Sequence, residues 1–268
     1  MTPKRIVITG ATGGLGRALV RAYAGTAVHF LLFGRDDARL EAARLDAEAA
    51  GARAEAVAIN VTENDAMGAA IRRFSKDAGV DLVLLAAGVK VGNAGGIEPT
   101  DQMERVLAVN LTATIHQVQA VLPFMKDQGH GQIALFSSLA ALSPHADLLS
   151  YSASKAAVRA YAGALRRCLR GTGVTVHTIT PGFVDTPMTD RHHGPTPFLV
   201  PADRAARIIR LSLSKGRARV SFPLILVLLV RLQNLLPVAL GDFIDRRFRA
   251  HIEPDRDEQI SQAKAKTD

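Results

Sequence analysis

The chain has 268 residues, of which 48% are hydrophobic and 22% charged. This ordinary globular composition excludes a largely disordered chain, and the length allows a sizeable core without disulfides. The single cysteine, Cys168, excludes an intramolecular disulfide and a cysteine-built zinc site. The net charge is +8, but no basic motif interleaved with aromatic residues accompanies it, so we expect no nucleic-acid partner.

Short apolar strands and helical segments alternate from the start of the chain. Because the strands are continuously apolar and separated by helices, they predict a parallel sheet covered on both faces, in a doubly wound α/β fold. The predicted strands are 5–9, 28–33, 54–61, 82–86, 132–136 and 174–180, and the predicted helices are a segment ending at Ala24, then 37–50, 64–78, 103–125 and 151–169.

A glycine-rich loop, T-G-A-T-G-G-L-G at residues 9–16, joins the first strand to the first helix. Glycines allow a tight turn and a close approach of backbone to phosphate, and the helix N-terminus offers free N–H groups to a pyrophosphate. The loop therefore predicts a dinucleotide site in a Rossmann-type fold. The residues expected to contact the cofactor there are Gly10, Thr12, Gly14, Leu15 and Gly16.

Four further motifs follow in order along the chain. Tyr151 and Lys155 form a Y-x-x-x-K motif, and Ser138 stands thirteen residues before Tyr151. Asn110 lies in a V-N-L segment, and residues 181–186 read P-G-F-V-D-T. Together with the T-G-x-x-x-G-x-G loop, these motifs resemble those of the short-chain dehydrogenase/reductase family. The resemblance implies an NAD(P)-dependent enzyme that interconverts carbonyl and alcohol groups.

The resemblance also implies a role for each catalytic candidate. Reduction of a carbonyl leaves charge on oxygen, so a site needs a proton donor and hydrogen-bond donors. Tyr151 would be the acid/base, and Lys155, on the same helix face at i+4, would bind the nicotinamide ribose and favour the phenolate. Ser138 would orient the substrate oxygen, and Asn110 would hold a water that links Lys155 to solvent.

Other segments would complete the cofactor site by the same resemblance. Two of them depart from the family pattern: Leu85-Ala86 stands where relatives carry Asn-Asn after the fourth strand, and Asn60 replaces Asp at the adenine. Neither change touches the proton-transfer group. The remaining cofactor-binding residues expected are Asn60, Val61, Ala87, Gly88, Pro181, Gly182, Val184 and Thr186.

The end of the second strand decides between the two nicotinamide cofactors. An acidic residue there would bind a ribose 2′-hydroxyl, whereas an arginine pairs with a 2′-phosphate. Gly34 stands where relatives that use NAD carry aspartate, and Arg35 follows it. We therefore predict NADP in preference to NAD, with Arg17 as a second candidate for the phosphate. The alternative, a solvated Arg35 beside Asp36, stays open.

Three histidines lie near the expected substrate pocket. His145 would be a loop histidine without a role, or a contact to a polar substrate. His192 and His193 are adjacent and point in different directions, so we predict no metal site. The loop that contains them, 188–200, is expected to be a mobile lid over the substrate.

Beyond the shared core, the chain is apolar from Phe222 to Leu240, and the longer stretch 201–249 around it is rich in arginine. The thirteen residues between Pro223 and Pro237 would extend about 20 Å as a helix, too short to span a bilayer core of about 30 Å. Three alternatives stay open: a buried element that lines the pocket or a dimer interface, a segment that dips into a membrane surface, and a membrane anchor. These converge weakly on an apolar substrate.

We predict a catalytic Rossmann domain over 1–220, an apolar and basic extension over 221–252 and a flexible tail over 253–268. The predicted activity is interconversion of a ketone or aldehyde and an alcohol with NADP. A homodimer or homotetramer is expected, in the cytoplasm, with peripheral contact of 222–240 to the inner face of a membrane. The alternative function is a non-catalytic NADP-binding regulatory or scaffold protein at a membrane surface.

Overall fold

A computed structural model describes residues 2–93, 96–246 and 249–253. Nearly all of the predicted tail, 254–268, lies outside the described residues. The described strands are β1 (Arg5–Thr9), β2 (His29–Gly34), β3 (Arg53–Ala58), β4 (Leu82–Leu85), β5 (Gly131–Phe136), β6 (Val174–Pro181), β7 (Val184–Asp185), β8 (His192–His193), β9 (Val200–Pro201), β10 (Arg219–Phe222) and β11 (His251–Ile252).

Seven of these strands form one parallel sheet in the order β10-β6-β5-β4-β1-β2-β3. Side chains of β1 alternate between the two faces: Ile6 and Ile8 pack in one core, and Val7 in the other. The strand order reverses between β1 and β4, which opens a crevice at the carboxyl ends of the strands. The predicted doubly wound fold is confirmed.

Helices cover both faces of this sheet. One face carries α1, α2 and α8, and the other carries α3, α5 and α6. The described helices are α1 (Gly14–Tyr23), α2 (Asp37–Ala49), α3 (Asn64–Ala78), α4 (Thr100–Leu107), α5 (Ala113–Asp127), α6 (Leu149–Cys168), α7 (Pro187–Asp190), α8 (Ala202–Ser214), α9 (Leu224–Gln233) and α10 (Val238–Asp245).

Two predicted elements differ from the structure for local reasons. The third strand ends at Ala58 instead of residue 61, because the Asn60 side chain accepts the backbone N–H of Thr62 and starts a turn. The long helix predicted over 103–125 is divided into α4 and α5 by a π-helical turn at Ala108–Thr112. Such turns occur frequently at functional sites, and this one carries Asn110.

The sheet gains an edge strand that the sequence analysis did not predict. β10 pairs in parallel with β6, from Arg219 beside Thr178 to Phe222 beside Pro181. The predicted domain boundary at residue 220 therefore lies inside a strand, and the catalytic core includes Phe222. Beyond it, α9 and α10 pack near the carboxyl edge of the sheet, where they contribute to the cleft described next.

Candidate active site

A cleft of about 1160 Å³ opens at the carboxyl edge of the sheet, where the strand order reverses. It receives all but one of the residues that the sequence analysis assigned to the site. Those that line it are Gly10, Thr12, Gly14, Leu15, Gly16, Arg35, Asn60, Val61, Ala87, Gly88, Ser138, Tyr151, Lys155, Pro181, Gly182, Val184 and Thr186.

The glycine loop has the shape of a phosphate cradle. Gly10 has φ +71°, and a side chain at Gly16 would meet the Gly10 carbonyl oxygen at 2.0 Å. A side chain at Gly14 would collide with Thr186, so the loop packs directly against the 181–186 segment. The first turn of α1 has no acidic residue and no side-chain cap. Its free N–H groups and positive dipole end fit the pyrophosphate of a dinucleotide.

Arginines stand at the adenosine end of the cleft. Arg35 lines it as predicted, and Arg39, one helical turn later, lines it as well. Arg17, the second candidate for the phosphate, does not line the cleft, and its Nε is ion-paired to Asp46 Oδ2 at 2.8 Å. Asp36 is the N-cap of α2, and its side chain accepts a hydrogen bond from the backbone N–H of Arg39. Arg39 was missed at the sequence level, although it lies in the first turn of the predicted helix 37–50, shortly after Arg35.

Three of the four predicted catalytic residues, Ser138, Tyr151 and Lys155, meet at one wall of the cleft. The Lys155 Nζ lies 5.9 Å from the centre of the Tyr151 ring and donates to the Phe136 carbonyl at 3.0 Å. Burial raises the pKa of Tyr151, and a hydrogen bond with the Ser138 side chain acts in the opposite direction. Burial also lowers the pKa of Lys155 to about 8. A proton donor, a hydroxyl and an ammonium therefore share one dry wall.

Asn110 stands one layer behind this wall and does not line the cleft. Its side-chain oxygen accepts the backbone N–H of Val89 at 2.9 Å, and its side-chain nitrogen donates to the carbonyl of Val89 at 3.0 Å. A second donor bond goes to Ser154 Oγ at 3.0 Å. Both amide N–H bonds are thus used within the protein. The clearest action of Asn110 is to fix the segment that follows β4.

The substrate end of the cleft is tied together by the C-terminal strap, which we define as residues 249–253. Arg249 binds the buried Asp147 through two contacts of 2.8 and 3.0 Å, and the Ala250 N–H donates to the same carboxylate at 3.0 Å. β11 in the strap then pairs with β8 in the loop 188–200. The loop that was predicted to be a lid is therefore paired with the C-terminal strap. Its mobility stays a prediction.

The mouth of the cleft is apolar and continues onto the protein surface. Leu226, Leu229 and Leu236 line the cleft, whereas the outer faces of α9 and α10 are open. Only Val227 and Val230 of α9 are buried, so the segment lines the pocket without being an internal element. The exposed apolar side chains are Leu224, Ile225, Leu228, Leu229, Leu232, Leu235, Leu236, Val238, Leu240 and Phe243. No helix in the described part of the chain has both the length and the apolar character to cross a bilayer.

Two basic side chains at the substrate end were also missed. Lys90 and Arg191 line the cleft beside His145 and His192. Lys90 had a recognisable signal, a lysine between two valines directly after the Gly88 turn. Arg191 had none, because only the fold brings its loop to this place. Among the described residues, no group of three or more His, Cys, Asp or Glu side chains is arranged to hold a metal.

Comparison with known proteins agrees with this geometry. Residues 4–194 match the family model described as short chain dehydrogenase. An uncharacterized oxidoreductase of Myxococcus xanthus is 36% identical over 250 residues, which cover 93% of this chain and 99% of that protein. An uncharacterized oxidoreductase of Staphylococcus saprophyticus is 32% identical and covers 77% of this chain and 89% of its own length.

Two solved structures resemble the fold but hold different cofactors. An NAD⁺-bound xylitol dehydrogenase superimposes with a TM-score of 0.65 at 26% identity, covering 68% of this chain and 70% of the other. The L-sorbose reductase of Gluconobacter frateurii, complexed with NADPH and L-sorbose, has a TM-score of 0.73 at 22% identity and covers 82% and 94%. Because one neighbour binds NAD⁺ and the other NADPH, the comparison does not distinguish NAD from NADP for this chain.

Proposed function

The chain belongs to the short-chain dehydrogenase/reductase family of NAD(P)-dependent oxidoreductases, and we propose that it uses NADP to interconvert a ketone or aldehyde and an alcohol. One observation carries this proposal: Ser138, Tyr151 and Lys155 share one wall of the cleft that begins at the glycine loop. The alternative, a non-catalytic NADP-binding scaffold, is not favoured, because the full set of proton-transfer residues is present.

When bound, the nicotinamide cofactor supplies or accepts the hydride. Tyr151 donates its phenolic proton to the carbonyl oxygen during reduction and takes a proton from the alcohol in the reverse direction. Burial raises the pKa of Tyr151 and so favours the phenol, which is the form that reduction requires. Ser138 donates a hydrogen bond to the same substrate oxygen and holds it beside the phenol.

Lys155 acts on Tyr151 and on the cofactor. In this proposal its ammonium favours the phenolate electrostatically and binds the nicotinamide ribose. Val184 and Thr186 contact the carboxamide end, and Asn60 and Val61 flank the adenine. Asn110 positions the segment after β4 and retains a lone pair on Oδ1 for the water that we assign to the path from Lys155 to solvent.

We assign the preference for NADP to Arg35 and Arg39. Both line the adenosine end of the cleft, and no acidic residue stands at Gly34 to bind a 2′-hydroxyl. A guanidinium pairs well with a phosphate because its N–H groups match the phosphate oxygens. Initial rates with NADPH and NADH test the assignment, and a clear preference for NADH would refute it.

The substrate we propose is apolar, and α9 and α10 form the membrane-facing side of its entrance. Leu224, Leu235 and Val238 are 77%, 81% and 79% exposed, a large apolar area for a surface in contact with water. The adjacent Arg231 is exposed too, which suits anionic head groups at the inner face of a membrane.

Sedimentation with vesicles tests this contact. We expect binding to phosphatidylglycerol vesicles, weaker binding to phosphatidylcholine vesicles, and loss of both in Leu224→Glu/Leu228→Glu. Light scattering tests the homodimer or homotetramer that we also propose. If the wild type does not bind vesicles and the same variant dissociates into monomers, α9 and α10 bind a second copy of the chain instead.

The reaction itself is tested by NADPH oxidation across a panel of carbonyl compounds, from small polar ketones to long-chain and steroid-like ones. Vesicles are included in half of the assays. Activity on apolar carbonyls that rises with vesicles supports the whole proposal. NADPH binding without turnover on any compound counts against catalysis and favours the scaffold alternative.

A further inference from the structure

A buried lysine with no acidic partner in the described part of the chain lies at the substrate end of the cleft. The side chain of Lys90 lines the cleft, yet the residue is only 6% exposed. In the ranges 2–93, 96–246 and 249–253, no ion pair or hydrogen bond neutralises its ammonium. Burial and the nearby Arg191 lower its pKa to about 8, so the group still carries its charge at neutral pH. A buried charge of this kind is costly unless an opposite charge joins it.

Two side chains of the loop 188–200 join Lys90 and are also unsatisfied. The Nη1 of Arg191 is buried without a hydrogen-bond partner within the described part of the chain. His192 is 8% exposed, and neither of its ring nitrogens makes a hydrogen bond of good geometry there, although the Pro195 carbonyl is near enough to favour the charged form. Burial, followed by Lys90 and His145, lowers the pKa of His192 to about 4. At neutral pH it is an uncharged hydrogen-bonding group.

Backbone hydrogen bonds fix the segments that carry these three side chains. Lys90 follows Val89, whose backbone is fixed on both sides by the Asn110 amide. The Glu253 N–H donates to the Arg191 carbonyl at 2.9 Å, and Ile252 pairs with His192 between β11 and β8. Positioned donors of this kind are typical of a binding site, since no rearrangement is needed when a ligand arrives.

A buried acid at the substrate end, Asp147, is already engaged. Asp147 is buried, and its carboxylate accepts bonds from Arg249 and from the Ala250 N–H. His145 Nδ1 stands 3.5 Å from the same carboxylate. Asp147 is therefore balanced by Arg249, and the positive charge of Lys90 and Arg191 is left for a ligand to neutralise.

We propose that Lys90, Arg191 and His192 form an anion subsite of the substrate pocket, which binds a carboxylate or phosphate monoester carried by the substrate in addition to its carbonyl. This inference rests on the proposed oxidoreductase function. The apolar wall formed by Leu226, Leu229 and Leu236 in the same cleft would take the aliphatic body. The substrate class is thus an amphiphile with an anionic group, an aliphatic chain and a reducible carbonyl.

Binding of non-reducible probes tests the subsite without any turnover. The NADPH-loaded protein is titrated calorimetrically with octanoate, octyl phosphate and octanol, which share one chain and differ in the head group. We expect at least one anion to bind ten times more tightly than octanol or better, and the tighter of the two anions identifies the head group. Equal affinities for the three probes would overturn the proposal.

Variants assign the effect to the named residues. Lys90→Met keeps the length of the side chain and should reduce anion binding to the level of octanol, with octanol itself unchanged. Arg191→Gln gives a second reading, with a three- to tenfold loss, should Lys90→Met fail to fold. Lys215→Met, at an exposed lysine after α8, is the control. Unchanged anion binding in both test variants would contradict the inference.

Turnover separates this inference from the proposed function. Oxo-carboxylates with the carbonyl at different positions are compared with their methyl esters. A preference for the acids that disappears in Lys90→Met supports the subsite, whereas equal turnover of acids and esters overturns the subsite alone. Tight octanoate binding with no reduction of any carbonyl counts against the oxidoreductase proposal and leaves the subsite standing.

Discussion

The cofactor end of the cleft is walled by glycines and backbone N–H groups, whereas its substrate end is walled by charged and apolar side chains. The first lies in one short stretch, the loop before α1, packed on the 181–186 segment. The second combines the segment after β4, the loop 188–200, α9 and the C-terminal strap. Backbone recognises a phosphate in any chain of this fold, while side chains can change without disturbing the sheet. The contrast separates cofactor binding, which the backbone of this fold provides, from substrate selectivity, which depends on the side chains of the individual protein.

The largest effect is expected where the two ends meet, at Tyr151. Tyr151→Phe removes the proton donor but keeps the ring, so turnover should fall about a thousandfold, with NADPH affinity changed less than twofold. Tyr161→Phe, on the same helix and outside the cleft, is the matched control. Steady-state rates and fluorescence titration with NADPH measure both quantities. Retained turnover in Tyr151→Phe would remove Tyr151 from the mechanism.

The substrate end should lower the free energy of unfolding, because the Lys90 ammonium has no partner of opposite charge within the described residues. The pKa of Lys90 is about 8 in the folded protein, against an ordinary value of 10.5. The unfolded state therefore binds more protons between these two pH values, and the wild-type free energy of unfolding rises with pH across that window. Below pH 8 the full cost, about 3 kcal/mol at 1.4 kcal/mol per pH unit, is present.

Lys90→Met should remove this cost, so the variant should be more stable than the wild type at pH 7 by up to about 3 kcal/mol. The difference should shrink at pH 9.5. Urea unfolding at the two pH values measures it, with Lys215→Met as the control. A variant that is less stable at pH 7 would mean that the ammonium has a partner within the protein.

The preference for NADPH over NADH should depend on one or two arginine side chains, although most of the contacts at the cofactor end come from the backbone. Arg35→Leu should raise the KM for NADPH by about 10- to 100-fold, the value of a charge-assisted contact of roughly 1.5–3 kcal/mol, and leave the KM for NADH nearly unchanged. Arg17→Leu is the control, since Arg17 is paired with Asp46. Equal loss with both cofactors would place Arg35 in the fold instead of at the 2′-phosphate.

The smallest effect concerns the strap that closes the substrate end. Arg249→Gln removes the charged partner of the buried Asp147 and should lower the free energy of unfolding by about 1–2 kcal/mol. Hydrogen exchange in β8 should become faster, because β11 pairs with it. Arg231→Gln, at an exposed position on α9, should leave both unchanged. Unaltered exchange in Arg249→Gln would show that the strap holds the loop without this ion pair.

The same contrast explains which features the sequence could predict. β1, α3 and the parallel character of the sheet followed from local apolar patterns, and the glycine loop and Tyr151–Lys155 carry their chemistry at short spacings. β10 was missed because a four-residue edge strand, Arg219–Phe222, has too little pattern to distinguish it from a loop. The π-helical turn at Asn110 leaves no periodicity to detect.

The substrate end was out of reach for a different reason. Arg249 and Asp147 are 102 residues apart in sequence, and no local pattern links such a pair. Lys90 had a local signal in its two flanking valines, but only the fold shows that it is buried and has no acidic partner among the described residues. The apolar character of α9 was visible in the sequence, but only the fold shows that one face lines the cleft and the other is exposed.

The central claim is that this cleft transfers hydrogen between NADP(H) and a carbonyl with Tyr151 as proton donor. The most direct measurement uses NADPH deuterated at C4 of the nicotinamide and mass spectrometry of the product, with wild type and Tyr151→Phe side by side. We predict an alcohol that carries the deuterium on its carbinol carbon with the wild type, and no product with the variant. Labelled alcohol from both proteins, or NADPH binding with no labelled product from the wild type on any carbonyl of the panel, would contradict the account.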